Sequence, residues 1–309
     1  MSNVNYVFLL SLIIIIIGYI LKKANIITEE NGKIIAKVVF NVTLPSLIFR
    51  VISSTEITPS LGLITLISIV FCIPISILSI RLFRNYPKNV KGLIIMAVIG
   101  FNVGHFAYPI IEGIWGQEGL KYIAMFDIGN AVVVFIIVYI LGLIFSPKNE
   151  FNNNQDLFKH ILLQLLKSAP LLSYIISLIF NFLNISFPTF INDLLDILSR
   201  ANMALALLLL GIFLNFKFDK TQWKNIFSVL VIRYSFGLII GLILFFLLPF
   251  DLLYRGILAI ALLLPIGLAI IPFTVEFEYD EKLAGIVSNL TIIISFILIW
   301  ALILILGFG

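Results

Sequence analysis

Long apolar runs are the feature of this sequence that most limits its possible folds. The runs 61–80 and 227–248 are typical, because each is mostly apolar and reaches the roughly 20 residues that a helix needs to cross a bilayer. Neither shows the alternation of apolar and polar residues expected of a strand in a transmembrane barrel. Since 61% of the 309 residues are hydrophobic and 12% are charged, the composition also excludes an ordinary soluble domain. The sequence therefore predicts an all-α membrane protein.

Ten such segments follow one another along the chain. They cover residues 4–21, 34–52, 61–80, 92–114, 120–145, 161–183, 194–214, 226–248, 256–275 and 283–307. The polar stretch 146–160 separates a first group of five (1–145) from a second (161–309), and we interpret it as a cytoplasmic linker. Because five is odd, two similar halves joined in this way must lie in opposite orientations, as in inverted-repeat transporters.

Positive charge predicts the orientation, since cytoplasmic loops retain Lys and Arg. With the N-terminus outside, the cytoplasmic side holds 20 − 5 = 15 of the 20 basic residues; the exceptions are Arg50, Lys121, Arg200, Arg233 and Arg255. Both termini are therefore expected on the non-cytoplasmic side of the cell membrane. The net charge of +4 is explained by these loops, which form no aromatic-interleaved basic patch for nucleic acid.

The fourth and ninth segments contain helix-breaking residues at corresponding places. Pro272 follows Pro109 by 272 − 109 = 163 residues, and Gly104, Pro265 and Gly267 weaken the same two segments further. Broken helices free backbone groups, which survive at membrane depth where they line a cavity. Their N-terminal ends present N–H groups to anions. We predict a transport site here, with a merely kinked helix as the alternative.

Polar side chains near these breaks are the candidate substrate-binding residues. Asn102 can donate two hydrogen bonds to a carboxylate, although intramembrane amides also join helices. His105 can exchange a proton near neutral pH or serve a structural role. Asp127 and Asn130 are one turn apart on the fifth segment and share a face, with Asp127 facing either the cavity or the interface.

Two further residues complete the candidate set. Arg233 lies inside the eighth segment, where an ionisable residue indicates function by default. It can attract an anion, pair with Asp127 or extend to the interface. Asn41 stands four residues before Pro45 on the second segment, where proline predicts a break or kink.

Several function classes find no support in the sequence. The single cysteine, Cys72, excludes a disulfide or a cysteine metal site within one chain. No phosphate-binding G-x-x-x-x-G-K-[ST] motif occurs, and no nucleophile–base pair or cluster of acids indicates an enzyme. We therefore expect neither catalysis nor a cofactor.

Five motifs in order resemble the auxin efflux carrier family, and the resemblance covers nearly the whole chain. The motifs are Asn41-Val42-Thr43-Leu44-Pro45, Asn102 seven residues before Pro109, the seventh-segment stretches 197–199 and 210–214, Ile232-Arg233-Tyr234, and Leu264-Pro265 through Pro272-Phe273. The chain departs from plant members in three places: the loop after the fifth segment is short, Gly237-Leu238 stands where they have a proline after the arginine, and the spacing from Pro265 to Pro272 is longer. These departures leave auxin open as a substrate.

The resemblance implies a ten-helix inverted-repeat fold of the bile-acid and PIN type, with scaffold and transport bundles, crossing helices broken at prolines, elevator-like alternating access and a homodimer. Asn102 would be the contact to a substrate carboxylate. The expected function is secondary transport of small organic carboxylate anions, with the choice between proton coupling and uniport left open. The alternatives are a sodium-coupled organic anion symporter of the bile-acid type and a non-transporting membrane sensor.

Overall fold

A computed structural model describes residues 3–147, 159, 162–163, 165–215 and 222–309. The described chain is helical throughout. The α-helices are α1 Asn3–Lys23, α2 Glu29–Val38, α3 Leu44–Ser54, α4 Pro59–Leu82, α5 Lys88–Ile99, α6 Tyr108–Val132, α7 Tyr139–Ile144, α8 Ala169–Phe182, α9 Thr189–Phe213, α10 Trp223–Leu247, α11 Leu252–Ala261, α12 Ile270–Glu276 and α13 Glu281–Leu306. Most of the linker predicted at 146–160, including Asn152, Asn153 and Asn154, lies outside the described residues.

Seven apolar helical stretches in the described part of the chain are long enough to cross a membrane. They are Val4–Lys23, Glu29–Ser54, Pro59–Leu82, Val103–Ile144, Thr189–Phe213, Trp223–Leu247 and Glu281–Leu306. Three shorter apolar helices accompany them, Val90–Ile99, Ala169–Phe182 and Leu252–Ala261. The all-helical membrane architecture is thus confirmed, whereas the ten-span inverted repeat stays a prediction.

The longest stretch is two helices in succession. Within Val103–Ile144, Gly116 has φ 56° and ψ −140°, which is not helical. A left-handed φ of this kind is accessible mainly to glycine. The chain therefore changes direction at Gly116, close to where the sequence places the boundary between its fourth and fifth segments.

Pro45 and Pro109 follow π turns instead of breaking their helices. The π turns Val39–Thr43 and Val103–Ala107 each end two residues before the proline. Proline has no N–H for the carbonyl one turn earlier and clashes with it, and a π turn widens the helix at that point. At Pro45 the helix does not break, since α2, the π turn and α3 follow one another without a gap, and the predicted kink stays a prediction that a π turn favours.

The helices are interrupted on the N-terminal side of Pro109 and Pro272. Helix α5 ends at Ile99, and three residues pass before the π turn begins at Val103. Likewise α11 ends at Ala261 and α12 begins at Ile270, so that Pro272 falls in the first turn of α12, where a missing N–H costs little. Each broken stretch thus consists of an incoming half-helix, an extended crossing segment and an outgoing half-helix.

Helix packing divides the described chain into two groups. Helix α1 packs mainly on α9, and α3 packs on α8 and α9. In the second group, α4 packs on α6, α10 packs on α11 and α5, and α12 packs on α13. Close approach at Gly18 and Gly211 allows the α1–α9 contact, since a Cβ at Gly211 would stand 1.9 Å from the carbonyl oxygen of Ile15. We call these the α1–α9 group and the α4–α13 group.

Candidate functional site

A cavity of about 740 Å³ lies where the two interrupted stretches meet. Both helix groups contribute to its wall, for example through Asn41 and Leu210 on one side and Asn102 and Asn289 on the other. Most of the surface that its lining exposes is apolar, and polar side chains stand among the apolar ones, which is typical of a site for a small organic molecule.

The two crossing segments hydrogen-bond to each other. The backbone N–H of Asn102 donates to the carbonyl oxygen of Pro265 at 2.9 Å. The N–H of Ile266 donates to the hydroxyl oxygen of Thr291 at 3.3 Å. Extended backbone at membrane depth requires such partners. The first bond joins the two crossing segments, and the second holds the 262–269 segment on α13.

Asn102 lies at the start of the outgoing half-helix and has one donor group without a partner. Its Oδ1 accepts from the backbone N–H of His105 at 3.2 Å, which is a helix N-cap. Its Nδ2 is buried and forms no hydrogen bond, and the same is true of Nε2 of His105. Both residues line the cavity. A buried amide without a partner is costly, so this geometry favours a bound acceptor.

Asn130 attaches the first crossing segment to α6. Its Oδ1 accepts from the N–H of Phe101 at 3.1 Å, and its Nδ2 donates to the carbonyl oxygen of the same residue at 3.1 Å. The remaining hydrogen of this amide points to Asp127 Oδ1 at 3.0 Å. Asn130 therefore replaces the helical hydrogen bonds that Phe101 lacks.

Asp127 connects the two helix groups through a tyrosine. The hydroxyl of Tyr174, on α8, donates to Asp127 Oδ2 at 2.5 Å. A second hydroxyl, that of Tyr108 on α6, lies 2.7 Å from the Tyr174 hydroxyl. Asp127 is 8% exposed and lines the cavity. No sequence pattern indicates Tyr174, because it stands 47 residues away from Asp127 on another helix.

Arg233 donates hydrogen bonds to backbone carbonyl groups of both interrupted stretches. Its Nη1 donates to Ala97 and Val98 at the end of α5, at 2.9 and 3.0 Å. Its Nε and Nη2 donate to Leu264 at 3.0 and 2.6 Å, and Nη2 also to Pro265 at 2.9 Å.

These bonds use all five N–H donors of the guanidinium. Arg233 is 1% exposed and lies over the ring of Phe101 at 4.5 Å. The prediction that it contacts the substrate is therefore corrected, because it has no donor left for an anion or for Asp127.

The predicted site residues other than Arg233 fall into two sets, those that line the cavity and those outside its wall. Lining the cavity are Asn41, Asn102, Gly104, His105, Asp127, Asn130, Gly267 and Pro272. Pro45, Pro109 and Pro265 are outside its wall. Asn41 is exposed, and its Nδ2 donates to the carbonyl oxygen of Lys37 at 2.8 Å.

Three lysines that the sequence did not single out for the site stand at one end of the cavity. Lys33, Lys37 and Lys167 are exposed and line its opening together with Glu29. None of the three lysines forms an ion pair with a described residue; Glu29 pairs with Lys22 at 3.2 Å. The opening is therefore positively charged, which raises the local concentration of anions.

Apolar helices broken at mid-depth around a shared cavity define a multi-pass membrane protein of the transporter class. The model of a family described as membrane transport protein matches residues 6–305. The chain belongs to this family, the auxin efflux carrier family that its motifs indicate.

Archaeal relatives agree with this assignment. An uncharacterized transporter of Methanocaldococcus jannaschii is 31% identical over 220 residues, which cover 68% of each chain. An uncharacterized transporter of Methanothermobacter thermautotrophicus is 29% identical over 216 residues, which cover 67% of each chain. The chain is thus similar to transporters over two thirds of its length.

Proposed function

We propose that this protein is a secondary transporter of small organic carboxylate anions that works by elevator-type alternating access. The observation that supports it most is the unpaired Nδ2 of Asn102 in the wall of a largely apolar cavity. A carboxylate would supply the missing acceptor, and an apolar wall suits the organic body of the substrate.

The electrostatics around the crossing favour a negative ligand. Outgoing half-helices begin at Val103 and Ile270 beside cavity-lining residues, so their positive ends face the ligand. Arg233 donates to carbonyl groups at the end of α5 and to Leu264 in the second crossing segment. Both arrangements lower the free energy of an anion in the cavity.

Corresponding polar contacts support two inverted repeats of five spans each. Asn130 bonds to the backbone of Phe101 in the first crossing segment, and Thr291 bonds to Ile266 in the second. Asn130 follows Phe101 by 130 − 101 = 29 residues, and Thr291 follows Ile266 by 291 − 266 = 25 residues. In each half, a side chain of the next long helix thus accepts a hydrogen bond from a backbone N–H of the crossing segment. We propose that the halves 1–145 and 161–309 form these repeats.

The two helix groups supply the parts that an elevator requires. The α4–α13 group contains both crossing segments, and the α1–α9 group forms the opposite wall of the cavity. We propose that the first moves against the second. The lysine-lined opening is assigned to the cytoplasm by the positive-inside rule, with both termini on the other side. The homodimer implied by the family resemblance remains a prediction.

An ion pair at the end of the cavity away from the lysines would hold that end closed. The cavity would then open only at the lysine-lined end. Arg50 on α3 lies 3.2 Å from Asp196 and 3.3 Å from Ser199, both on α9. It also reaches Glu112 of α6 at 3.5 Å. Since α6 belongs to the other helix group, the Arg50–Glu112 contact must break when the groups slide.

Replacing Glu112 by Gln is therefore expected to favour the outward-open state. A partly exposed ion pair is worth up to about 1 kcal/mol, which corresponds to a population change of about fivefold. The measurement is the rate at which an impermeant thiol reagent, added outside, labels Ser288→Cys in a Cys72→Ser background. The matched control is Glu118→Gln, whose partner Lys121 lies on the same helix. Equal labelling rates in both variants would contradict this role.

Ligand-dependent thermal stabilisation tests the substrate class. Purified protein is heated with lactate, succinate, phenylacetate and indole-3-acetate, and with the neutral amide of each acid. We expect at least one acid to raise Tm in a saturable manner while its amide does not, because the amide lacks the charge that the half-helix ends favour. Stabilisation by the amides alone would contradict a carboxylate site.

A further inference from the structure

Asp127 is a buried carboxyl group whose two oxygens both accept hydrogen bonds. The orientation of Asn130 is fixed by its two bonds to Phe101, so its Nδ2 must donate to Asp127 Oδ1. Tyr174 donates to Oδ2. Asp127 has no cationic partner among the described residues. When Tyr174 donates to it, the group is a carboxylate stabilised by neutral donors only.

The hydroxyl chain from Tyr108 to Asp127 can run in either direction. Either oxygen of the Tyr108–Tyr174 pair can be the donor. With a carboxylate, Tyr108 donates to Tyr174 and Tyr174 donates to Asp127. With a carboxylic acid, Asp127 donates to Tyr174, which then donates to Tyr108. The same heavy-atom positions thus accommodate the carboxyl group with and without a proton.

Movement of the helix groups would remove the main donor of Asp127. Tyr174 is on α8 in the α1–α9 group, whereas Asp127 and Tyr108 are on α6. Sliding separates the Tyr174 hydroxyl from Asp127 Oδ2 and leaves the carboxylate with Asn130 alone. An ionised group that loses a donor at membrane depth is unfavourable. Protonation removes the charge and thereby the penalty.

We propose that Asp127 is the proton-binding group of this transporter and that a proton moves with each carboxylate. The proposal rests on the proposed function. Asp127 takes up a proton when the cavity is open to the outside and Tyr174 is no longer its partner, crosses as a carboxylic acid with its helix group, and releases the proton to the cytoplasm when Tyr174 donates to it again. Together with one monocarboxylate anion, the complete step transfers no net charge.

Other titratable groups share the cavity and have to be separated from Asp127. At depth these are His105, Tyr139 and Glu276; the hydroxyl of Tyr139 donates to Glu276. At the opening they are Glu29 and the three lysines. Cys72 belongs to α4, which packs on α6, and its sulfur lies 3.5 Å from the Ser76 hydroxyl. His105, with Nε2 unpaired, is the main competitor as the proton site.

Assays in proteoliposomes distinguish transport that is coupled to protons from transport that is not. Exchange of labelled lactate and phenylacetate needs no gradient, whereas accumulation driven by an acidic exterior requires proton coupling. The wild type is expected to accumulate label about tenfold for one pH unit, after subtraction of protein-free vesicles. Asp127→Asn mimics the protonated group and should retain exchange while its accumulation ratio falls to about one.

Two variants provide the comparison. Asp251→Asn alters another Tyr–Asp pair, in which the Tyr122 hydroxyl donates at 3.2 Å, and Asp251 lies outside the substrate cavity; it should behave as the wild type. In His105→Gln the exchange rate is expected to fall, because the residue lines the cavity, but the label that enters should still accumulate with the pH gradient. Loss of accumulation in His105→Gln with accumulation intact in Asp127→Asn would overturn the proposal, as would wild-type exchange without accumulation.

A spectroscopic readout tests the same group without any substrate. Infrared difference spectra of purified protein between alkaline and acidic pH should contain a carboxylic C=O band that is missing in Asp127→Asn and present in Asp251→Asn. Absence of exchange by the wild type together with this band would refute the proposed carboxylate transport and leave the proton site intact. Identical spectra for the wild type and Asp127→Asn would refute the proton site.

Discussion

Replacing Asn102 by Asp is expected to abolish carboxylate binding while the fold is retained. The new Oδ1 can still accept from the N–H of His105, as the native one does at 3.2 Å, so the N-cap persists. The Nδ2 donor is lost, and a hydrogen bond to a charged group is worth about 1.5–3 kcal/mol. Repulsion between two negative charges adds to this loss. We expect the affinity measured by thermal stabilisation to fall at least about tenfold.

Asn202 offers a matched control for this position. Its Oδ1 accepts from the Thr43 hydroxyl at 3.1 Å and its Nδ2 is buried without a partner, so it has the same hydrogen-bond pattern as Asn102. It lies outside the cavity wall. Asn102→Ala should weaken binding, whereas Asn202→Ala should leave it unchanged. Equal effects of the two substitutions on affinity would assign Asn102 a structural role.

A large loss of stability is expected for Arg233→Met. The substitution leaves the carbonyl groups of Ala97, Val98, Leu264 and Pro265 without their guanidinium donors. A buried acceptor left without its donor costs about 1–3 kcal/mol, and several are left here. A clear fall in Tm in detergent should therefore accompany a loss of transport, since the crossing segments also position Asn102.

Arg255 is the control for this substitution. It too lies over an aromatic ring, Phe245 at 5.4 Å, but it donates a single hydrogen bond, to the carbonyl oxygen of Phe245 at 3.0 Å. Arg255→Met should cost about 1 kcal/mol. Arg233→Lys should be intermediate, because an ammonium group has three donors in place of five. A Tm for Arg233→Met equal to that of Arg255→Met would show that the five bonds contribute little.

Features that depend on local sequence could be predicted well. Apolar length predicted the seven long helical stretches that can cross a membrane, because a helix in lipid is predominantly apolar along its length. The interruptions near Asn102 and Pro265 followed from glycine and proline, whose backbone effects are local. Local sequence also singled out Asn102, as a donor to a carboxylate, and Asn130, which shares a helix face with Asp127.

Features that depend on distant residues could not be predicted. Arg233 was expected to meet an anion, but its partners are carbonyl groups up to 136 residues away, which no periodicity reveals. The contact between Tyr174 and Asp127 likewise depends on how two helix groups pack. At Pro45 the sequence indicated that the regular helix is disturbed, and yet the form of the disturbance, a π turn, depends on how the surrounding helices accommodate the missing N–H.

Counterflow in proteoliposomes tests the central claim most directly. Vesicles containing the wild type, Asn102→Asp or Asn202→Ala are loaded with an unlabelled carboxylate from the stabilisation screen, and entry of the labelled form is followed. The account predicts saturable, transient accumulation by the wild type and by Asn202→Ala, and none by Asn102→Asp. Counterflow by Asn102→Asp at the wild-type rate would contradict it.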